Sequence, residues 1–408
     1  MEEKLVELRR RLARILRENI IPFWYRTIDW RNGGYILNHD VAGKPLGKAT
    51  KMVVTQARMV WYFSHLYRSG WAGREALEAA EHGFGFLKDK MWDGEYGGFF
   101  WEVSEGGRVI RDFKHLYGQA FGLYAVSEYA LASGVKEARD FAGEVFEIIE
   151  RAHDDAYGGF HEAFSRDWSP LQAQSPVGPT GSKTMNTHLH LMEAYMTFYE
   201  LTGSQSAKQR LLEMILIMAN AVVDTRSGAC VDLHDPSWRP LPVFGEYRVS
   251  YGHNLEALWL TADACQLTGV PVGLLEKHFE TVYDYCARYG FDHEKGGVYD
   301  SGPLNRPADK LEKVWWVQAE SLVAMLYLYK ITRNERYLRD FEKQLNWIEG
   351  YQVDWENGDW FEVVLPDGRR GGLKAHVWKA AYHNGRAMIK SIQVLDSLLR
   401  ERGFSFDD

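Results

Sequence analysis

Three histidines, His190, His253 and His383, and one arginine, Arg58, stand in short polar stretches of otherwise apolar segments. An unperturbed imidazole has a pKa of about 6.5, so both protonation states exist near neutral pH and the ring can take or give a proton. Two imidazoles on opposite sides of a substrate carbon could remove a proton from one face and return one to the other. That is epimerisation. The enediolate formed between the two steps carries negative charge, and Arg58 is the side chain to hold it. Glu193 follows His190 by three residues and Glu256 follows His253 by three. On a helix each carboxylate shares a face with its imidazole and could orient it. A lone helical histidine is more often a hydrogen-bonded core residue, so matched recurrence carries the argument.

That recurrence is set by six glycine turns. They run Arg31-Asn32-Gly33-Gly34, Asp93 to Gly98, Asp154 to Gly159, Asp224 to Gly228, Asp292 to Gly297 and Asp354 to Gly358, and their last glycines stand 61 to 69 residues apart. Arg58, Tyr117, His190, His253, Trp315 and His383 each follow one turn, by 18 to 31 residues. Every turn has a helical pattern before it and another after it. The helices after the turns are apolar on nearly all sides, as in Trp315-Trp316-Val317-Gln318-Ala319-Glu320-Ser321-Leu322. Those before the turns are amphipathic, as in Glu335 to Glu342. A helix apolar all round must be buried, and an amphipathic one lies against it facing water. Six inner and six outer helices with short β-hairpins at one end make an all-α (α/α)6 barrel, expected to fill residues 1–408 as one domain. The turn aspartates have the local backbone-bonding role usual for Asp in a turn. One Pro/Gly-rich excursion, residues 161 to 186, breaks the repeat at the mouth, where it reads as a lid or as a passive surface loop.

Bulk properties narrow the rest. A net charge of −8 over 408 residues gives no electrostatic reason to bind nucleic acid or an anionic membrane. No apolar run approaches the length of a membrane span, and Met1-Glu2-Glu3-Lys4-Leu5 opens a charged helix and not a signal peptide. Three scattered cysteines make neither a disulfide framework nor a zinc knuckle. A soluble, cytoplasmic protein is expected. With 15 Trp, 22 Tyr and 20 Phe, a minority of aromatic rings is expected in a cleft, where sugar sites use ring faces.

Four stretches resemble the N-acylglucosamine 2-epimerase superfamily, and within it the bacterial cellobiose 2-epimerases. They are Met185-Asn186-Thr187-His188-Leu189-His190, Ser250-Tyr251-Gly252-His253, Trp315 to Glu320 and Tyr382-His383-Asn384-Gly385-Arg386. The resemblance implies an (α/α)6 barrel that inverts C2 of a reducing-end aldose through a cis-enediolate, without metal or cofactor. Carried over by motif, His253 and His383 would be the acid/base pair. His190 would open the ring or bind the sugar, and Arg58 would hold the enediolate. Tyr117, Asn186, Glu256, Trp315, Trp316, Glu320 and Trp378 would contact the substrate. A small sugar is the implied partner, with cellobiose-type β-1,4-disaccharides first. Free mannose, for a 2-epimerase or a mannose–fructose isomerase, is the alternative. Two positions depart from the cellobiose epimerase pattern, Asn254 after His253 and Gln56 before Ala57-Arg58, and both are expected beside the site.

Other chemistries compete. His190, His253 and His383 could form a three-histidine metal site. A glycoside hydrolase on the same barrel would need two carboxylates across the scissile bond, which the turn aspartates would have to supply. A non-catalytic sugar-binding or regulatory protein is the third reading.

Overall fold

A computed structural model describes residues 1–175 and 177–404. Pro176, inside the 161–186 excursion, and the last residues of the expected 1–408 barrel lie outside the described residues. Twelve helices alternate in two rings. The outer ring is α1 (Glu2–Arg14, continued helically to Trp24), α3 (Arg74–Phe86), α5 (Lys136–Glu150), α7 (Gln205–Leu216), α9 (Glu276–Tyr289) and α11 (Glu335–Trp347). The inner ring is α2 (Val53–Arg68), α4 (Leu116–Ser133), α6 (Met185–Thr202), α8 (Tyr251–Thr268), α10 (Trp315–Thr332) and α12 (Tyr382–Arg400). Each inner helix packs on the next, and α12 packs back on α2, so the ring closes.

The apolar patterns place each helix. Every residue of α4 from Leu116 to Ala130 is buried. On α11, Tyr337, Leu338, Phe341 and Leu345 are buried while Glu335, Arg339 and Lys343 face water. Inner helices stop where the sequence offers a left-handed residue: Gly134, Gly203 and Gly269 have φ of 69°, 69° and 83°. Arg333 takes that conformation at the end of α10, with φ of 58°.

What holds the active end together is a set of bonds between neighbouring units. The strand leading into each of the inner helices α2, α4, α6, α8 and α10 pairs antiparallel with the hairpin of the following unit, as in Lys114↔Phe164 and Lys183↔His234. That hairpin also supplies a carbonyl to the first helical N–H. Val53 bonds Trp101 at 3.0 Å, Leu116 bonds Glu162 at 2.8 Å, Met185 bonds Asp232 at 2.7 Å and Trp315 bonds Glu362 at 2.9 Å. A bridge between His39 and Ala375 joins the sixth unit to the first.

The turn aspartates accept local N–H groups as expected, and they do a second thing that spacing alone did not reveal. Five of the six ion-pair with a buried lysine ahead of the inner helix. Asp29–Lys51 measures 2.8 Å, Asp93–Lys114 3.0 Å, Asp154–Lys183 2.7 Å, Asp292–Lys313 2.7 Å and Asp354–Lys374 2.8 Å. In four of these units the ammonium also donates to a turn-glycine carbonyl. The fourth unit lacks the pair: Asp224 holds Ser227, and Arg248 turns out to Asp309. One polar side chain from the first turn of an inner helix completes each clamp. Gln56 bonds the backbone of Tyr35, Gln119 that of Phe99, Asn254 that of Cys230 and Gln318 that of Val298. Backbone at Gly98 (φ 79°) passes so close that a Cβ there would stand 2.6 Å from Trp168.

Lys183→Met leaves Asp154 buried and unpaired, and is expected to cost about 3–5 kcal/mol, read as a fall in Tm. Adding Asp154→Asn should return much of that loss, because no buried charge is then left uncompensated. Burial would raise the Asp154 carboxyl, but Lys183 and two turn N–H groups hold it below the usual range. A depressed folded pKa gives stability that is present above the unfolded value and lost as pH falls through the folded one. Wild-type Tm should therefore hold to about pH 4 and then fall, and the double variant should lose less over the same interval.

Candidate active site

The first turns of the inner helices open on a cavity of about 240 Å³. Arg58 comes from α2, Tyr117 from α4, Asn186 and His190 from α6, His253 from α8, Trp315 and Trp316 from α10 and His383 from α12. Trp378, just ahead of α12, and Val177, from the 161–186 excursion, complete the wall. All six residues picked out by the turn spacing meet here, and the excursion reaches the mouth.

Each polar group is held by its neighbours. Arg58 donates to the Trp378 carbonyl at 2.9 Å and to the Tyr117 hydroxyl at 3.1 Å, and its guanidinium lies over the rings of Phe121 and Tyr382. His383 shares a 2.6 Å hydrogen bond with Glu320 through Nδ1. His190 Nδ1 meets Glu193 at 3.1 Å, with the Tyr382 hydroxyl at 3.4 Å. Anchoring at Nδ1 leaves Nε2 of each ring for the cavity. His253 is half-buried, and its ring packs on Trp316 at 4.7 Å, as does that of His383 at 5.6 Å. Trp315 Nε1 and Asn186 Oδ1 lack a partner among the described residues, one donor and one acceptor at the cavity wall.

Electrostatics suit proton transfer. Burial, reinforced by the charges of Arg58 and Arg386, holds the His383 imidazole well below its usual range. Burial likewise lowers His190, against the pull of Glu193. The Glu320 carboxyl is pushed up by burial and by neighbouring Glu256, in spite of Arg386. The 2.6 Å bond makes His383 and Glu320 one hydrogen-bonded dyad. Its base form has the proton on Nδ1 and a lone pair on Nε2. One added proton makes Nε2–H, the acid form.

Several expected placements are corrected. Glu256 does not orient His253 and does not line the cavity: it is fully buried on Arg386. Glu320 also lies behind the wall, bonded to His383, Arg386 and the Trp259 indole. Both face inward because Arg386, one turn further along α12, draws them to the barrel axis. Gln56 and Asn254 point away from the cavity, into the hairpin clamps, so the two departures from the epimerase pattern are structural. His188 does the same, accepting the Phe160 N–H at 2.9 Å. The three cavity histidines do not gather as metal ligands. Among the described residues the one trio with possible ligand atoms all within 4.8 Å is Glu256, Glu320 and His383, and the Arg386 guanidinium is bonded to its two carboxylates. Asp93, Asp154 and Asp292 are committed to lysines, so these three turn aspartates are not free to act as a hydrolase's carboxylates. Arg386 and Tyr382 were missed as site residues, although both stand in the quoted Tyr382-to-Arg386 stretch. Their i,i+4 spacing puts them on one helical face beside His383.

Fold and cavity define an (α/α)6 barrel with one polar, aromatic mouth. The family model for N-acylglucosamine 2-epimerase (GlcNAc 2-epimerase) matches residues 34–387. A cellobiose 2-epimerase of Ruminococcus albus is 34% identical over 386 residues, 92% of this chain and 96% of that protein. The solved cellobiose 2-epimerase of Spirochaeta thermophila superposes with a TM-score of 0.87 at 32% identity, over 97% of this chain and 98% of the other. A D-mannose isomerase of Marinomonas mediterranea is 23% identical, over 93% of this chain and 95% of its own length. The chain belongs to the N-acylglucosamine 2-epimerase family. It is a carbohydrate epimerase, an isomerase. Among the described residues no helix is long and apolar enough to cross a membrane.

Glu320→Gln keeps the shape of the dyad and removes its charge. It is expected to lower kcat by about 10²- to 10⁴-fold with little change in KM, measured by steady-state kinetics on the folded variant.

Proposed function

We propose that the chain interconverts gluco and manno configurations at C2 of a reducing-end aldose, most readily in cellobiose-type β-1,4-disaccharides. The observation that carries this reading is the pair His253 and His383, two imidazoles from different helices packed on the same Trp316 ring and facing one cavity with Arg58. One ring in its base form takes the C2 proton from one face. The electrons move into a cis-enediolate, whose oxygens Arg58 and the Tyr117 hydroxyl stabilise. The second ring, in its acid form, returns a proton to the opposite face of C2. His190, backed by Glu193, assists ring opening before the first transfer or binds the sugar. The steps need no metal and no cofactor. Its three cysteines are free and buried, which fits the reducing cytoplasm.

The disaccharide is favoured by the named activity of the 30–34% identical relatives and by Trp378. That indole is 37% exposed at the rim, a ring face for a second sugar. A second reading, epimerisation or aldose–ketose isomerisation of free mannose, is favoured by the D-mannose isomerase similarity. It differs only in whether the proton returns to C2 or C1.

Turnover of cellobiose in D₂O is expected to place deuterium at C2 of the epimer. Product without label, or activity kept in His253→Asn and His383→Asn, would sink the two-histidine transfer. Trp378→Ala is expected to raise KM for cellobiose by about tenfold, equivalent to one aromatic contact, and to change that for mannose far less. Cellobiose, lactose and mannose compared side by side with product identification decide between the two substrates.

A further inference from the structure

Arg386 lies at the barrel axis one turn behind His383, fully buried. Its guanidinium bonds Glu193, Glu256 and Glu320, each from a different inner helix, and it sits over the rings of Tyr382 at 4.1 Å and Trp259 at 4.7 Å. Two of those carboxylates are the ones that hold cavity imidazoles. Glu193 carries His190 and Glu320 carries His383. An unbroken chain therefore runs His190, Glu193, Arg386, Glu320, His383. A guanidinium is a rigid planar fork, so its orientation fixes the directions of the carboxylates it bonds. Each carboxylate in turn fixes which nitrogen of its imidazole carries the proton.

We propose that Arg386 is a positioning residue for the C2 epimerisation, one guanidinium that sets the ring nitrogens of His190 and His383 together. The inference rests on the histidine chemistry proposed above. It makes α12 the carrier of one reacting group, His383, and of the clamp for another, His190 on α6.

The groups facing this cluster are Arg58 from α2, Tyr124 from α4, His190 from α6, His253 from α8, Tyr327 from α10 and Tyr382 on α12 itself. Arg58 supplies the other cation. The Arg386 charge helps to hold both His383 and Glu193 down. Its loss lets both rise, so the pH profile must move upward.

A second cavity, about 370 Å³, reaches the cluster from the other end of the barrel. Glu193 and Trp259 form part of its wall, and Arg68, Glu200 and Leu267 line it at the C-terminal ends of α2, α6 and α8. Free guanidinium is expected to reach the place of Arg386 from that side.

The test uses three variants of the full chain. Arg386→Gln is expected to lose kcat by about tenfold or more with KM within about threefold, and its kcat/KM profile should shift to higher pH. Arg386→Lys keeps the charge and loses the fork, so kcat falls while the profile stays. Arg386→Ala should regain activity with millimolar guanidinium chloride and not with equal sodium chloride. Folded Arg386→Gln with wild-type kcat and profile overturns the proposal, as does a failure of guanidinium to rescue folded Arg386→Ala. Should Gln and Ala variants not fold, ring-nitrogen NMR of Arg386→Lys decides: altered tautomer signals for both His190 and His383 support the clamp, and an unchanged signal for either one overturns it. Retained activity in His253→Asn or His383→Asn would show instead that the histidine chemistry has failed.

Discussion

A buried ammonium held between a turn aspartate and a glycine carbonyl is the bond on which this barrel depends. Repeated in four of the six units, with a fifth aspartate–lysine pair in the last, it joins the turn that ends one outer helix to the strand that starts the next inner one. Buried ion pairs are poor sources of net stability, since desolvation offsets most of the Coulomb gain. Their value here is geometric. A lysine that must reach one carboxylate and one carbonyl leaves a single depth at which the inner helix can begin. Arg58, Tyr117, Asn186, His190, Trp315 and Trp316 sit within about two turns of such a start, while His253 follows the one turn that lacks the pair. The depth of the turn is thus the depth of the chemistry.

The inner ring faces a harder problem at its axis. Helices apolar on all sides give a dry centre, yet three carboxylates and a guanidinium are buried there with two imidazoles beside them. In so low a dielectric an unpaired member would be costly, and five of the six carboxylate oxygens have a partner, while Glu256 Oε2 and Arg386 Nε have none among the described residues. Tyr382 donates to Glu193, and the Trp259 indole donates to Glu320. The arrangement also limits how the rings above can move. An imidazole tied to a carboxylate that is tied to a shared cation has little freedom left to tilt.

Periodicity made the barrel legible, because burial all round one helix class and amphipathicity in the other gives paired inner and outer helices, and six such units with a glycine turn in each favour a closed ring over an open solenoid. It also placed six residues at one mouth without any knowledge of the pairs that put them there. What it did not show was direction. Glu256 and Gln56 stand beside cavity residues in sequence, and a helix turns by about 100° per residue, so neighbours in the chain face different ways. Glu256 falls on the axis side with Arg386, and Gln56 on the hairpin side with Tyr35. Arg386 itself was hidden for another reason. Its partners come from three other helices, 66 to 193 residues away, and no local spacing records such a meeting.

That division of labour bears on where sugar selectivity can reside. At five inner-helix starts one polar side chain is committed to the backbone beside a glycine turn, so Gln56 and Asn254 cannot also read a hydroxyl. Three polar positions facing the cavity from the helices are already committed: Arg58 to Tyr117, His190 to Glu193 and His383 to Glu320. Changing any of them disturbs the chemistry before it changes the substrate. Two wall residues outside both sets of ties, Val177 in the excursion and Trp378 in the lead-in to α12, lie on loops. Loops on a rigid scaffold are where specificity can vary without cost to the core. On the function proposed above, the barrel separates the two tasks by secondary structure, with proton transfer on helix starts and recognition of a second sugar on the segments between them.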